Sequence, residues 1–190
     1  MTSRTHNAFA FASLVTAAAY LPVPNLNLTT FVVSLVGVTI GALIPDMDTS
    51  GNYLWGLLPQ GQRLGGILRR VFYKHRTITH SLLGYILIYN FFDWLLPRIF
   101  NSNFIDPTVV FASLMIGYLS HLVSDSFTEE GIPLLFPLHI TFGIPPIKKI
   151  RIKTGQWFEN IIIFPSIWIY LIWFVNLNKD KFLSILNGLI

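Results

Sequence analysis

The chain has 190 residues, of which 53% are hydrophobic and 12% are charged, and its formal net charge is +4 at pH 7. Soluble domains carry roughly 25% charged residues, so this chain has too few of them to cover a water-exposed surface. It contains no cysteine, which excludes disulfides, thiolate metal sites and cysteine nucleophiles. These values predict an all-α integral membrane protein, folded as a single membrane-embedded domain over residues 1–190.

Five apolar segments are predicted to cross the membrane as a helical bundle. They cover about residues 8–22, 28–44, 81–96, 108–123 and 161–177. The first is shorter than the ~20 residues that a spanning helix needs, so a bundle with four spans is the alternative. This segment also resembles a secretory signal, because an apolar stretch follows Arg4 and contains the run Ala17–Ala19. We expect it to be retained.

The two longest connections differ in composition from the spans. Residues 51–76 are rich in glycine, aromatic and basic residues, and this composition predicts a stretch that lies on the membrane surface. The connection between the fourth and fifth spans contains Pro133, Pro137, Pro145 and Pro146. These prolines exclude a continuous helix and predict a surface or re-entrant loop.

The basic residues are distributed unevenly between the two sides of the predicted bundle. Alternation of the five spans places ten of the 13 Lys and Arg residues on the side of the N-terminus. Because cytoplasmic loops carry an excess of Lys and Arg, we predict a multi-pass inner-membrane protein with a cytoplasmic N-terminus. The lipid bilayer is the expected partner. No nucleic-acid partner is expected, since topology explains the charge and no binding motif is present.

Four short motifs rich in His and Asp fall at the predicted cytoplasmic ends of the spans. They are His6 before the first span, Asp46 and Asp48 in IPDMD, His75 and His80 in HRTITHS, and His121 and Asp125 in SHLVSD. Ionisable residues at membrane depth are costly and usually functional. We therefore predict that these residues meet in one metal-binding pocket on the cytoplasmic side.

The spacing within two of these motifs suits metal ligation. His121 and Asp125 are four residues apart, which places them on the same side of a helix. Asp46 and Asp48 follow a proline in a predicted extended turn, where residues two apart point the same way. Taken alone, each motif also has a purely structural interpretation, as a simple hydrogen bond or a turn. Their convergence on one side of the bundle favours the metal site.

The third span is predicted to begin with a cap from Thr77 or Thr79, which would place His80 in its first turn. Imidazole and carboxylate ligands without thiolate suit Zn, Mn, Fe or Mg. Zn is the metal that we expect. The number of candidate ligands exceeds what one catalytic ion needs, so we predict two ions or three.

At these motifs the chain resembles the YdjM family of bacterial and archaeal inner-membrane proteins, which are described as membrane-bound metal-dependent hydrolases. IPDMD, HRTITHS and HLVSDSFTEEGIPLLFP carry the resemblance, which covers roughly residues 4–140. It implies metal-ligand roles for the seven residues above, with Arg76, Thr128 and Gly131 as companions. Thr77 stands where many members have glycine. The family is more distantly similar to the zinc-dependent phospholipase C and P1 nuclease group of all-helical enzymes.

These features favour metal-dependent hydrolysis of a phosphoester or ester in a lipid or lipid-linked substrate, because a divalent ion activates water for attack. Arg76 is predicted to stabilise negative charge as it develops, and Glu129 to act as general base. The alternative is a non-enzymatic small membrane transporter or metal-binding protein. Transport sites lie near the bilayer midplane, whereas these residues lie at helix ends. A scaffold that binds a soluble partner through the basic loops is a third possibility.

Overall fold

A computed structural model describes residues 1–21, 26–48, 76–138 and 140–189, together with positions 55, 56, 61, 63 and 66. Over these residues the fold is all-helical, as predicted. The α-helices are α1 (Ser3–Tyr20), α2 (Leu28–Leu43), α3 (Leu82–Ile99), α4 (Pro107–Ser126), α5 (Phe164–Leu177) and α6 (Lys179–Asn187). Extended pairing within the described ranges is limited to two isolated bridges, Thr128 with Ile152 and Ile132 with Phe142.

A side-chain cap begins each of the helices α2 and α4, and the two capped ends are neighbours. Asn27 accepts the N–H of Thr30 at 2.7 Å, and Asp106 accepts the N–H of Thr108 at 2.8 Å. Each cap satisfies an amide that has no partner in the first helical turn. The N–H of Asp106 also donates to Thr30 Oγ1 at 2.9 Å, which joins the two helix starts.

The start of α3 differs from the prediction. Ser81 caps the helix by accepting the N–H of Gly84 at 3.1 Å, so neither Thr77 nor Thr79 is the cap. His80 therefore lies outside the first turn of α3, in the 3₁₀ turn that precedes it. Ser81, which directly precedes the apolar run, takes the capping position, and Thr79 instead contacts Asp48 and His80.

The backbones of α2 and α4 are in close contact through two glycines. A Cβ atom added at Gly117 would overlap the carbonyl oxygen of Val38, and one added at Gly41 would overlap that of Leu114. Neither position accepts a side chain unless the helices separate. This close approach brings the end of α2 beside the last turns of α4.

Two described helical segments are long and apolar enough to cross a membrane. They are Pro107–Ser126 and Phe158–Leu177, and the second consists of a π-helical turn, Phe158–Ile163, that continues into α5. Leu28–Leu43 is apolar but shorter. Helices occupy all five predicted segments, but the prediction of about five spans is not confirmed. The reason lies in composition, since α1 begins with polar residues and α3 contains Asp93 and Arg98.

The connection between α4 and the π-helical turn is irregular, as its prolines predict. Arg151 holds it together by donating to the carbonyl oxygens of Pro145 at 2.7 Å and Gly143 at 3.2 Å. Its exposed residues include Lys148 and Lys149. Most of the predicted membrane-surface stretch at residues 51–76 lies outside the described residues.

Candidate metal centre

Imidazole and carboxylate groups from four parts of the chain meet beside the last turns of α4. We call this set the His/Asp cluster: His6 from α1, Asp46 after α2, His80 before α3, and His121 and Asp125 from α4. All are at most 1% exposed except Asp46, whose side chain is 21% exposed. The structure thus brings together five of the residues that the sequence singled out. His75 lies outside the described residues.

The ring nitrogens and carboxylate oxygens of the cluster are closely spaced. His6 Nε2 lies 3.2 Å from Asp125 Oδ1. The Nε2 atoms of His80 and His121 lie 3.4 and 3.5 Å from Asp46 Oδ1, and both lie 3.6 Å from Asp125 Oδ2. Two atoms that bind one zinc ion tetrahedrally, at about 2.0–2.2 Å each, are roughly 3.4 Å apart. The spacing is therefore that of a ligand set, and the cluster could hold a metal ion.

Hydrogen bonds at Nδ1 select the tautomers of His6 and His121. His121 Nδ1 lies 2.7 Å from the carbonyl oxygen of Ala42, which can only accept, so this nitrogen carries a proton. Ser124 Oγ donates to the His121 carbonyl at 2.9 Å, and it therefore accepts from His6 Nδ1 at 2.8 Å. In the neutral rings, both Nε2 lone pairs face carboxylate oxygens and receive no hydrogen bond from the described residues. A cation between these acceptors would bind both the imidazole nitrogens and the carboxylate oxygens.

A second chain of hydrogen bonds orients His80. Thr79 Oγ1 donates to Asp48 Oδ2 at 3.1 Å, so it accepts from His80 Nδ1, also at 3.1 Å. His80 Nε2 then faces Asp46 Oδ1 and Asp125 Oδ2. Such outer partners fix the orientation of metal-binding histidines and raise their basicity.

Asp46 and Asp48 point in different directions. The sequence PDMD forms a 3₁₀ helix over Pro45–Asp48, so the predicted extended turn is wrong. With three residues per turn, positions two apart do not share a face. Asp48 is buried and accepts from Thr79 and from the N–H of Arg76 at 3.0 Å. Direct ligation by Asp48 stays a prediction.

Asp46 lies where the cluster meets solvent. Burial by itself raises the pKa of Asp46. When no metal is bound, hydrogen bonding and charge attraction from the protonated forms of His121 and His80 outweigh burial and hold this pKa well below its ordinary value. The carboxylate is therefore ionised at neutral pH. Protons and a metal ion would compete for the imidazole nitrogens that face it.

Arg76 joins the cluster to the segment after α4. Its Nη2 lies 2.8 Å from Asp125 Oδ2, and its Nε lies 3.2 Å from Glu130. Its Nη1 donates to Thr128 Oγ1 at 3.2 Å and to the Gly131 carbonyl at 2.8 Å. The backbone of Arg76 is left-handed, with φ of 59°, which is rare for a residue with a side chain. These contacts place a fixed positive charge at the edge of the cluster.

Glu129 is less closely connected to the cluster than its neighbour. Its N–H donates to the Ile152 carbonyl at 3.0 Å, but its carboxylate makes no hydrogen bond or ion pair with the described residues. Glu130 instead provides the contact with Arg76. A general-base role for Glu129 stays a prediction.

A buried acid that the sequence analysis missed anchors the first turn of α1. Glu159 is fully buried, and its Oε1 accepts from the N–H of Thr2 at 2.7 Å and from Thr2 Oγ1 at 2.8 Å. Its Oε2 accepts the N–H of Gly155 at 2.7 Å. Because Thr2 lies one helical turn before His6, Glu159 helps to position that imidazole. No motif marks Glu159, since its partners are mainly backbone groups, one of them at the other end of the chain.

Comparison with known proteins agrees with the resemblance seen in the motifs. The family described as "YdjM inner membrane protein" matches residues 1–182. The chain is 32% identical over 163 residues to the uncharacterized protein YvsG of Bacillus subtilis (strain 168), covering 86% of this chain and 88% of that protein. It is 27% identical over 175 residues to the inner membrane protein YdjM of Escherichia coli (strain K12), covering 91% and 82%. No solved structure matches. The chain belongs to the YdjM family of inner membrane proteins.

Proposed function

We propose that the protein is a membrane-bound, metal-dependent hydrolase whose active site is the His/Asp cluster. The observation that carries the proposal is the orientation of its imidazoles. Each Nδ1 has a hydrogen-bond partner outside the cluster, and each Nε2 lies 3.2–3.6 Å from carboxylate oxygens inside it. Arg76 and the Met1 amino group each contact one oxygen of Asp125. The three Nε2 atoms and the remaining carboxylate oxygen of Asp46 set acceptors against acceptors in a buried site, which suits a divalent cation rather than a neutral hydrogen-bond network.

The ligand set limits how the metal is bound. The triplets His6, Asp46, His121 and His80, His121, Asp125 both depend on His121, whose single Nε2 lone pair serves one ion. We propose that the described residues hold one ion. A second would need a bridging carboxylate and further ligands, for which the predicted His75 is the candidate. The absence of thiolates is consistent with Zn and also with Mn, Fe or Mg.

A divalent ion bound here would acidify water and polarise the oxygen of an ester or phosphoester. The residues of the chain supply the rest. Arg76, 11% exposed and 2.8 Å from Asp125, would neutralise negative charge on the group under attack. Thr79 and Ser124 hold the imidazoles in place, so that no ring needs to turn during the reaction. Glu129 keeps the proposed role of general base.

The proposed substrate is a phosphoester or ester of a lipid or lipid-linked molecule. Membership of an inner-membrane family supports a lipid environment for the protein. Lys148 and Lys149 are exposed in the 3₁₀ turn Lys148–Ile150, where they would attract anionic headgroups.

Elemental analysis of the purified protein tests the metal site. We expect at least one divalent ion per chain in the unmodified protein, and the loss of the ion held by the His/Asp cluster in His121→Ala and Asp125→Asn. The matched control is Asp93→Asn, because Asp93 is an exposed carboxylate on α3 about 16 Å along the helix from Leu82. Equal metal content in all four proteins, or none in any, would contradict the proposal.

Hydrolysis is tested on the same preparations with bis(p-nitrophenyl) phosphate, p-nitrophenyl butyrate and phosphatidylglycerol vesicles. We expect product from at least one of them, abolished by a chelator and by His121→Ala but not by Asp93→Asn. A protein that retains its metal and hydrolyses none of the three would favour the non-enzymatic alternative, a metal-binding protein or small transporter.

A further inference from the structure

A long apolar groove runs along α1 and α5 and ends at the His/Asp cluster. We call it the α1–α5 groove. Its volume is about 780 Å³, which lies within the range of ligand sites. Its walls include Phe9, Ser13, Ala17 and Tyr20 of α1 and Ile167 and Tyr170 of α5. From Phe9 to Tyr20 the groove follows α1 for about 16 Å, at a rise of 1.5 Å per residue.

The hydroxyls of Ser13, Thr16 and Tyr170 in the walls already have partners. Ser13 Oγ donates to the Phe9 carbonyl at 2.9 Å. Thr16 Oγ1 donates to the Ala12 carbonyl at 2.7 Å, so it accepts from the Tyr170 hydroxyl at 2.8 Å. Because these hydroxyls bond to protein groups, an apolar ligand could contact them without leaving a polar group unpaired.

The inner end of the groove is shared with the cluster. Met1 and Ser124 line it. The amino group of Met1 lies 2.5 Å from Asp125 Oδ1, and Ser124 Oγ lies 2.8 Å from His6 Nδ1. A molecule that occupied the groove would therefore end beside the cluster.

The side of α5 that faces away from the groove indicates what surrounds it. Ile169 and Ile172 are 67% and 71% exposed, on one of the two described segments that can cross a membrane. In an inner membrane protein such side chains contact lipid. Hydrocarbon chains are thus the most abundant apolar molecules next to the groove.

We propose that the α1–α5 groove binds one acyl chain of a glycerophospholipid and directs its ester or phosphoester linkages toward the His/Asp cluster. This inference rests on the proposed function and specifies its substrate. It requires that a bound lipid contacts Ser13, Ala17 and Tyr170 in addition to the outer face of α5. It also requires that filling the groove displaces the lipid without displacing the metal.

Photolabelling of the full chain tests this proposal. The protein is reconstituted in phosphatidylethanolamine vesicles that contain phosphatidylglycerol with a diazirine in its acyl chain, and adducts are located by mass spectrometry. We expect adducts on the groove side of α1 and at Tyr170, as well as on Ile169. Adducts confined to the outer face of α5, or cross-links between two copies at the groove, would overturn the proposal.

Groove-filling variants provide the second measurement. Ala17→Trp and the milder Ser13→Leu are expected to reduce groove adducts by about tenfold, equivalent to roughly 1.4 kcal/mol of binding free energy. The matched control Ile169→Trp adds bulk outside the groove and should not reduce them. Metal content, measured on the same samples, should stay unchanged. Unchanged labelling in groove-filling variants that retain their metal would overturn the proposal that the groove binds lipid. An unmodified protein that contains no metal would instead overturn the proposed function.

Discussion

Two helix contacts in this protein differ in how closely the backbones approach. At the α2–α4 contact, Gly41 and Gly117 allow main-chain atoms to touch. At the α1–α5 contact, larger side chains such as Phe9 and Tyr170 leave a groove of about 780 Å³. The close contact carries the hydrogen bond from His121 to Ala42, and the open one leads to the same cluster.

The difference separates two requirements of an active site. Metal ligands must be held within a few tenths of an ångström, which needs rigid neighbours. A substrate must enter and leave, which needs space. Under the proposed function, the glycine contact supplies the rigidity and the α1–α5 groove supplies the space, and the two contacts can be disturbed separately.

Gly117→Val should produce the largest effect. The added side chain overlaps Val38 and forces α2 and α4 apart, which should lower the free energy of unfolding by about 3 kcal/mol. The hydrogen bond that orients His121 should be lost, and metal content with it. Thermal unfolding in mild detergent and elemental analysis measure both effects.

Gly188→Val is the matched control, since a Cβ there makes only ordinary contacts with the Ile185 and Ser184 carbonyls. If Gly117→Val unfolds at the same temperature as this control, the close contact does not hold the cluster in place.

Thr79→Val should weaken metal binding while leaving the fold intact. Valine has nearly the same shape but cannot join His80 to Asp48. We expect a loss of about 10–100-fold in metal affinity, the usual effect of removing an outer partner. Competition with a chromophoric chelator measures it. Thr39→Val is the control, because among the described residues Thr39 bonds only to its own helix, at the Leu35 carbonyl. An equal loss there would refute a specific role for Thr79.

Glu159→Gln tests the anchor of α1, which borders both the cluster and the α1–α5 groove. The amide places a donor against the N–H groups of Thr2 or Gly155, and should destabilise the protein by about 1–2 kcal/mol. We expect a lower unfolding temperature together with weaker metal binding through His6. Glu129→Gln should leave stability unchanged, so equal unfolding of the two variants would count against the anchor.

Tyr170→Phe should have the smallest effect. It removes a hydroxyl that contacts Thr16 across the α1–α5 groove. We expect a change in stability of about 1 kcal/mol or less and unchanged metal content. A loss of metal in this variant would show that the open contact, as well as the close one, determines the geometry of the cluster.

The sequence predicted the members of the cluster better than their geometry. Helix direction and the spacing of His121 and Asp125 were enough to predict that they meet His6, Asp46 and His80, because alternating the direction of successive apolar helices puts these helix ends on the same side. The tautomers depend on contacts such as Ala42 with His121, which join residues far apart in the chain. The separation of Asp46 from Asp48 depends on a local 3₁₀ conformation that residue types alone do not specify.

The prediction of membrane-crossing helices was likewise more successful for their positions than for their number. Apolar composition located helices at all five predicted segments, yet only Pro107–Ser126 and Phe158–Leu177 combine the length and hydropathy of a span among the described helices. The close α2–α4 contact was not predicted, because nothing in the sequence distinguishes Gly41 and Gly117 from glycines with other roles in helices. A glycine in a helix looks the same in the sequence whether it allows the helix to bend or allows a second helix to pack closely against it.

Arg76 combines an unfavourable main-chain conformation with the only described guanidinium at the cluster. Glycine would adopt this conformation easily, but it would leave Asp125 without that ion pair. Replacement by glycine and by alanine therefore separates the two contributions, since both remove the charge and only glycine relieves the backbone. The alanine variant should be less stable than the glycine variant by about 1 kcal/mol. The chain thus keeps an unfavourable backbone conformation at the residue that brings a positive charge to the cluster. Such strained residues are common at functional sites.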